Sequence, residues 1–237
     1  FSISGMQDKI LLNISENGSL EASKEISRYI LKPIPSDMRL QKRYDTPANE
    51  HLSMQIARQA YGLAVASCGI VRFRDGEAAY ITRRFDRDGA GVKRQKEDFC
   101  QAMGLSEANG GKNYKYDKSY EEAALFVASL PAGKILAEEF IERLAFNYLI
   151  ANEDAHLKNF AFLADEGIIR LSPCYDLLFT RLHIPSMSFT ANDMFRDGKT
   201  TPSFDALGFF AIEDFLELGQ IVGLNETRLH KKLARFA

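Results

Sequence analysis

The sequence predicts an α+β chain in two lobes, strand-rich over residues 1–86 and helix-rich over 87–237. Three observations predict this. Short apolar alternations separated by turn residues crowd the first part. Helical spacing dominates the second, most strongly over residues 134–150. Between them runs Asp86-Arg87-Asp88-Gly89-Ala90-Gly91, a polar, glycine-bearing linker that sets the expected lobe boundary near 86.

The elements follow in order. Residues 1–14 read as two strands, Phe1 and Ile3 alternating with Ser2 and Ser4, then Ile10 to Ile14 returning after the turn Gly5-Met6-Gln7-Asp8-Lys9. Such a turn can offer backbone N–H groups to phosphates. A plain hairpin tip would look the same. Glu16-Asn17-Gly18 is a second turn, and Arg28-Tyr29-Ile30-Leu31-Lys32-Pro33 a strand stopped by proline. Lys32 either snorkels at a strand end or reaches phosphates. Thr46 and Pro47 are expected to cap and open a helix whose apolar face is Leu52, Ile56 and Ala60, flanked by Met54 and Tyr61, with Gly62 as the stop. Glu50 in its first turns either favours the helix dipole or pairs with a lysine. Asp75-Gly76 makes a hairpin of residues 69–85. Residues 95–103, 118–130, 134–150, 204–218 and 225–236 read as helices, with Asn225 as an N-cap. The face of the 134–150 helix is Ile135, Leu136, Phe140, Ile141, Leu144, Tyr148 and Leu149. Ala108 to Tyr116 is a polar loop with two tyrosines and two lysines, read as solvated in preference to a substrate contact. Phe160 to Leu163 and Ile168 to Leu171 form a hairpin around Asp165-Glu166-Gly167.

Bulk properties narrow the function. A 46% hydrophobic and 26% charged composition is that of a folded globular chain, which excludes collagen, coiled coil and disorder. The net charge of −2 gives no global footprint for nucleic acid. Cys68, Cys100 and Cys174 are odd in number and lack CxxC spacing, so a reducing, cytoplasmic setting is expected and a zinc site is not. No apolar run approaches the roughly 20 residues of a membrane helix, and no signal-peptide pattern opens the chain. It begins with Phe1 rather than Met, and further residues are expected upstream.

The chemistry concentrates in Asn152-Glu153-Asp154-Ala155-His156-Leu157-Lys158-Asn159, with a second acid in Ser172-Pro173-Cys174-Tyr175-Asp176. Phosphoryl transfer needs a base for the hydroxyl proton, an amide oxygen for a metal, and a carboxylate for the metal, in the order Asp154, Asn159, Asp176. The catalytic loop of protein kinases has the same Asp-to-Asn spacing. The Phe160–Leu171 hairpin is expected to return the chain so that the three residues can share one ion. Lys32 and Glu50, 18 residues apart, suit the strand-lysine and helix-glutamate pair of such enzymes. His156, inside the loop, either orients it or meets a phosphate. His51, His183 and His230 lack metal spacing.

These segments together resemble the HipA family of serine/threonine kinases, the toxins of bacterial toxin–antitoxin modules. The resemblance is carried by Ser2-Ile3-Ser4-Gly5-Met6-Gln7-Asp8-Lys9, Tyr29-Ile30-Leu31-Lys32-Pro33, Arg84-Phe85-Asp86-Arg87, Glu97-Asp98-Phe99-Cys100-Gln101, Asn152 to Asn159 and Tyr175-Asp176-Leu177-Leu178, in the family's order. A chain of this extent would lack the family's N-terminal subdomain and is expected to resemble the compact HipT type, as does the pair Ser2 and Ser4. The resemblance implies a two-lobed protein-kinase-like fold, with Asp154 as catalytic base and Asn159 and Asp176 as Mg2+ ligands. It implies ATP held by a loop of Ser4, Gly5, Met6, Gln7, Asp8 and Lys9, by Lys32, and by a hinge of Arg83, Arg84 and Phe85. Glu50, His156, Lys158 and Tyr175 complete the nucleotide set. Ser2 and Ser4 would be autophosphorylation sites. The substrate would be a protein, by family precedent an aminoacyl-tRNA synthetase. The partner would be a helix-turn-helix antitoxin of the HipB type, with DNA reached only through it and no membrane involved. Arg83 departs from the family, which has an acid there.

Three other classes stand beside this one. A small-molecule phosphotransferase would share the loop chemistry. A kinase-shaped binding module is disfavoured because Asp154, Asn159, Asp176 and Lys32 are all present. A metal-dependent hydrolase is disfavoured because ligand-spaced histidines are absent.

Overall fold

A computed structural model describes residues 7–23, 27–89, 91–184 and 189–236. Ser2, Ser4, Gly5 and Met6 lie outside them. The contacts divide the chain into two compact units, residues 1–96 with 173–186, and residues 97–172 with 187–237. The division falls later than the composition shift near 86, and it gives the segment bearing Asp176 to the first unit.

The first unit is an antiparallel sheet and one helix. Strands β1 (Ile10–Ile14), β2 (Leu20–Ala22), β3 (Tyr29–Lys32), β4 (Cys68–Arg72) and β5 (Ala78–Arg83) lie in the order β2-β1-β3-β5-β4. The β1 strand, the β3 strand and the β4–β5 hairpin follow the expectation, and β2 is an addition. Side chains alternate across a strand. On one face Leu12, Leu31 and Ala79 form a small core. Lys32 pairs in register with Tyr80 on the opposite face. Its ammonium lies 5.4 Å from the Tyr80 ring.

Helix α1 (Thr46–Gln59) has Asp45 rather than Thr46 at its N-cap, so Thr46 and Pro47 are its first two residues. Its buried face also differs from expectation. Leu52 and Ile56 are exposed, whereas Asn49, Glu50, Ser53, Met54 and Ala57 are buried. The polar residues go inside because they are bonded there. Asn49 donates to the Phe179 carbonyl (2.9 Å) and accepts from the Phe179 N–H (3.1 Å). It also meets His183 Nε2 at 2.8 Å, and His183 Nδ1 lies 3.0 Å from the Gln41 carbonyl. Those bonds favour a neutral ring protonated on Nδ1. Burial pushes the His183 imidazole below its ordinary range, against the pull of the Gln41 carbonyl.

The second unit is mostly helical. Residues 95–103 do not form one helix: Gln95–Asp98 is a strand (β6), and only Phe99–Ala102 (α2) is helical. Asp98 accepts from the Gln101 N–H, and the Gln101 side chain accepts from the Asp98 N–H, so this box stops the strand and starts the helix. Next come α3 (Glu107–Gly110), a 3-10 turn over Gly111–Tyr116, α4 (Tyr120–Ala128) and α5 (Gly133–Leu149). Strands β7 (Ala161–Asp165) and β8 (Ile168–Leu171) form the expected hairpin. Residues 204–218 split into α6 (Pro202–Leu207) and α7 (Ile212–Ile221). Gly208, at φ +72, ends α6 in the left-handed conformation glycine adopts without strain.

Leu136, Phe140, Ile141 and Leu144 of α5 are buried as expected, but Ile135 and Leu149 are exposed. Phe99 stacks on Phe162 (4.7 Å between centroids) and lies 5.2 Å from Phe140, which meets Phe160 edge-on at 5.0 Å. This aromatic knot fixes the chain immediately after Asn159. Among the described residues no helix is long and apolar enough to cross a membrane.

The last helix, α8 (Glu226–Leu233), buries Leu229 and Leu233 in the core and pairs its charges with α5. Glu138 meets Arg228 (3.0 Å) and Lys232 (2.7 Å), and Glu142 meets Lys232 (2.5 Å) and Arg235 (2.7 Å). Asn225 caps it, accepting from the Arg228 N–H at 2.9 Å. Asn225→Ala is expected to cost about 1 kcal/mol, the usual worth of an N-cap, which lowers the melting temperature by about 2–4 °C in a chain of this size. Thermal melts followed by circular dichroism check this.

Candidate active site

The first unit brings Lys32, Glu50 and Asp176 together. The Lys32 ammonium lies 2.5 Å from Glu50 Oε1 and 2.5 Å from Asp176 Oδ1. Three elements make this possible: β3 supplies the lysine, the buried face of α1 supplies Glu50, and the 173–186 segment supplies Asp176. That segment is held on two sides. Cys174 bridges to Val65, its N–H donating to the Ala64 carbonyl (2.8 Å) and its carbonyl accepting from the Ala66 N–H (2.9 Å), while Asn49 clasps Phe179. Asp176 itself sits at φ +55, a left-handed backbone that aspartate tolerates better than most residues.

One ammonium faces two carboxylates in a dry place, and the charges respond. Burial pushes the Glu50 carboxyl up to about 7, against Lys32, which pulls it down, and with Asp176 adding to the rise. Burial alone would lower the Lys32 ammonium, but Asp176 and Glu50 outweigh it and hold it above its ordinary range.

The other expected residues of this unit lie as follows. Gln7 is buried and donates to the Pro33 carbonyl (3.3 Å), tying the end of the expected phosphate loop to the lysine strand. Asp8 and Lys9 are exposed, as is Arg83. Arg84 is committed to Asp86 (2.9 and 2.6 Å) and to Ser27 (2.7 Å), which raises its guanidinium and lowers the Asp86 carboxyl. Phe85 packs on Tyr175 (5.3 Å), with the Lys96 ammonium 5.7 Å from the first ring and 5.1 Å from the second.

The second unit holds Asp154, His156, Lys158 and Asn159. Their loop leaves α5 through Ala151, whose φ of +47 places a Cβ residue in the left-handed region at a cost of about 1 kcal/mol. An asparagine ladder compensates. The Asn147 amide donates to the Arg143 carbonyl (2.8 Å), the Asn152 amide to Asn147 Oδ1 (2.7 Å), and the Asp154 N–H points at Asn152 Oδ1 (3.4 Å). The Tyr120 hydroxyl donates to the Ala155 carbonyl at 2.9 Å, and Leu157 is fully buried. Asp154 is thus held by the backbone on both sides. His156 is buried, with Nε2 3.9 Å from Asp154 Oδ1.

Two residues that pattern reading left in a solvated loop reach this group. Tyr116 donates to Asp154 Oδ1 (3.0 Å) and lies edge-on to His156 (5.5 Å). Lys158 donates to the Tyr114 hydroxyl (2.9 Å), which holds its ammonium above the ordinary range. The only signal in the sequence was the tyrosines' two-residue spacing.

Each unit carries an oxygen donor that suits a hard divalent cation. Asn159 Oδ1 is buried and has no hydrogen-bond partner among the described residues, a costly state for an amide oxygen unless it faces a cation. Asp176 offers a carboxylate. No group of three or more His, Cys, Asp or Glu converges among the described residues. An amide oxygen and a carboxylate are each hard oxygen donors of the kind Mg2+ takes, one or two at a time, beside water and phosphate.

The α+β fold is kinase-like. The chain belongs to the HipA-like C-terminal domain family, whose model matches residues 1–236. A Haemophilus influenzae protein is 29% identical over 251 residues, covering 98% of this chain and 70% of its own. The serine/threonine-protein kinase toxin HipA of Shewanella oneidensis is 29% identical over 195 residues, covering 75% of this chain, which spans only 42% of the toxin's length. The fold matches HipA in a complex with HipB and operator DNA from Shewanella oneidensis MR-1, with a TM-score of 0.70 and 22% identity over all of this chain and 55% of the other. It also matches the Helicobacter pylori proinflammatory kinase CtkA, with a TM-score of 0.54 and 14% identity over 95% of this chain and 91% of the other.

Proposed function

We propose that this chain is the catalytic part of an ATP- and Mg2+-dependent serine/threonine protein kinase of the HipA or HipT type. The observation that carries the reading is the Lys32–Glu50–Asp176 group. A strand lysine paired with a helix glutamate is the part that holds nucleotide phosphates in protein kinases, and here the same ammonium also holds the carboxylate expected to meet the metal.

In this reading Asp154 accepts the proton of a serine or threonine hydroxyl as its oxygen attacks the γ-phosphoryl group. Lys32 and the loop Ser4 to Lys9 bind the phosphates, with His156 and Lys158 beside them. Arg83, Arg84, Phe85 and Tyr175 flank the adenine. Asn159 and Asp176 would hold Mg2+, which neutralises charge on the phosphates when bound. The protein substrate is an aminoacyl-tRNA synthetase, and its modification arrests growth in the cytoplasm. The partner is a helix-turn-helix antitoxin of the HipB type, through which DNA is reached. HipB is present in the Shewanella complex.

Ser2 and Ser4 are the proposed autophosphorylation sites. Each phosphate adds about −1.5 to −2 charge where ATP phosphates must bind, so the modified loop is expected to bind nucleotide more weakly. The test is incubation with labelled Mg-ATP and mass spectrometry, wild type beside Asp154→Ala, followed by nucleotide titration of both forms. Phosphate on Ser2 or Ser4 in the wild type alone supports the reading. Neither phosphate nor nucleotide binding in the wild type refutes it, and equal affinity of modified and unmodified forms refutes the loop switch.

A further inference from the structure

The segment Gly111–Tyr116 lies along the loop that carries Asp154, and its two tyrosines meet an acidic and a basic side chain of that loop, Asp154 and Lys158. Tyr116 Oη donates to Asp154 Oδ1 at 3.0 Å, and Lys158 Nζ donates to Tyr114 Oη at 2.9 Å. The tyrosines are two positions apart and the groups they hold are four apart. A hydrogen bond to an ionised partner is shorter and roughly twice as strong as a neutral one.

The segment is rigidly delivered. Upstream, Ser106 N–H donates to Asn109 Oδ1 (2.8 Å) and the Asn109 amide donates to the Gly104 carbonyl (2.7 Å). Downstream, the buried Asn192 amide donates to the Lys115 (3.2 Å) and Lys118 (2.8 Å) carbonyls. Ser119 then opens α4, accepting from the Glu122 N–H at 3.2 Å. Gly111 starts the turn at φ +67. Side chains meant only for solvent do not need anchors at both ends.

We infer that Tyr116 and Tyr114 are positioning residues of the phosphoryl-transfer site. Tyr116 fixes the Asp154 carboxylate in the orientation that receives the substrate hydroxyl, and Tyr114 aims the Lys158 ammonium at the nucleotide. The inference rests on the reading of Asp154 as the base. It assigns the two tyrosines different kinetic signatures. Tyr116→Phe keeps the ring against His156 and removes only the donor, so kcat falls on the order of tenfold, because small misplacements of a reacting group are costly, while KM for ATP holds. Tyr114→Phe raises KM for ATP on the order of tenfold, the factor that one charge-assisted bond is worth, and leaves kcat nearly unchanged.

The experiment follows incorporation of labelled γ-phosphate into the full chain at varied ATP, for wild type, Tyr116→Phe, Tyr114→Phe and Asp154→Asn, with melting temperatures alongside. The kcat and KM split at unchanged melting temperature supports the inference. Wild-type kinetics in both tyrosine variants beside an inactive Asp154→Asn overturn it and leave the base reading intact. A faster Tyr116→Phe also overturns it, since the phenol would then be blocking the acceptor. An active Asp154→Asn overturns the base reading and this inference with it. A readout independent of turnover is amide exchange across residues 152–159 in the double tyrosine variant. Exchange about fivefold faster or more supports the clamp, and unchanged exchange refutes it even if no phosphate is incorporated.

Discussion

Asp154→Asn is expected to lower phosphoryl transfer by about 10²–10⁴-fold, the worth of a positioned general base, while nucleotide affinity stays within a factor of a few. The substitution is nearly isosteric and removes the acceptor charge, so the hydroxyl proton has no base to receive it. The surroundings argue that the loop survives the change. Asn147, Asn152 and Tyr120 hold its backbone through bonds to backbone groups or to one another. Leu157 and the aromatic knot behind Phe160 bury its far side. An asparagine oxygen can still accept from Tyr116. The measurement is the initial rate of labelled phosphate incorporation together with an equilibrium nucleotide titration. A rate within threefold of wild type would remove Asp154 from the role of base. A lost nucleotide affinity would mean that the change disturbs binding rather than proton transfer.

Much of this arrangement was legible in the residues. Lys32 stands late in an apolar strand and Glu50 early in the next helix, and the structure pairs them at 2.5 Å. The Asp154-to-Asn159 spacing identified a loop that proves buried and tightly bonded. Three parts were not legible, each for a physical reason. On α1, periodicity favoured Leu52 and Ile56 as the inner face, because apolar burial is the usual driving force. The face that is buried instead carries Asn49, Glu50 and Ser53; the partners of the first two lie far away in sequence, Phe179 and His183 for Asn49 and Lys32 for Glu50, and Ser53 donates to Asn49. Gln95–Asp98 looked helical with its neighbours, since four polar residues beside a capping box carry no strand period of their own. The Gly111–Tyr116 segment looked solvated because its composition is polar. What ties it to the Asp154 loop is two hydroxyl bonds, to Asp154 and Lys158, across 38 and 44 positions.

Lys32→Met is expected to destabilise the first unit by about 3–5 kcal/mol near neutral pH, the cost of leaving buried charge without its partner, in addition to abolishing nucleotide binding. Met keeps the stem and removes the charge, so Glu50 and Asp176 then face each other without a cation. The loss has a definite pH dependence. In the wild type, Glu50 has a folded value of about 7, above its ordinary 4.5. A carboxyl raised in this way binds its proton more tightly when folded. Its contribution to stability is therefore fully present below about 4.5 and is lost as pH rises through about 7. Removing Lys32 removes the group that pulled Glu50 down, so Glu50 holds its proton to still higher pH, and the variant's loss of stability starts near the same 4.5 but runs on beyond about 7. Below about 4.5 Glu50 is protonated in the unfolded chain as well, so its burial as a neutral group costs no proton uptake and the penalty shrinks. Lys32→Met with Glu50→Gln removes the carboxyl that must either stay charged or take up a proton far above its ordinary range, and is expected to recover a large part of the loss at pH 8 without recovering nucleotide binding. Melting curves at pH 5 and pH 8 for the wild type, the single variant and the double variant decide the matter. A penalty of equal size at both pH values, or a double variant no more stable than the single one at pH 8, would mean that the Lys32 ammonium is not what makes the buried Glu50 tolerable.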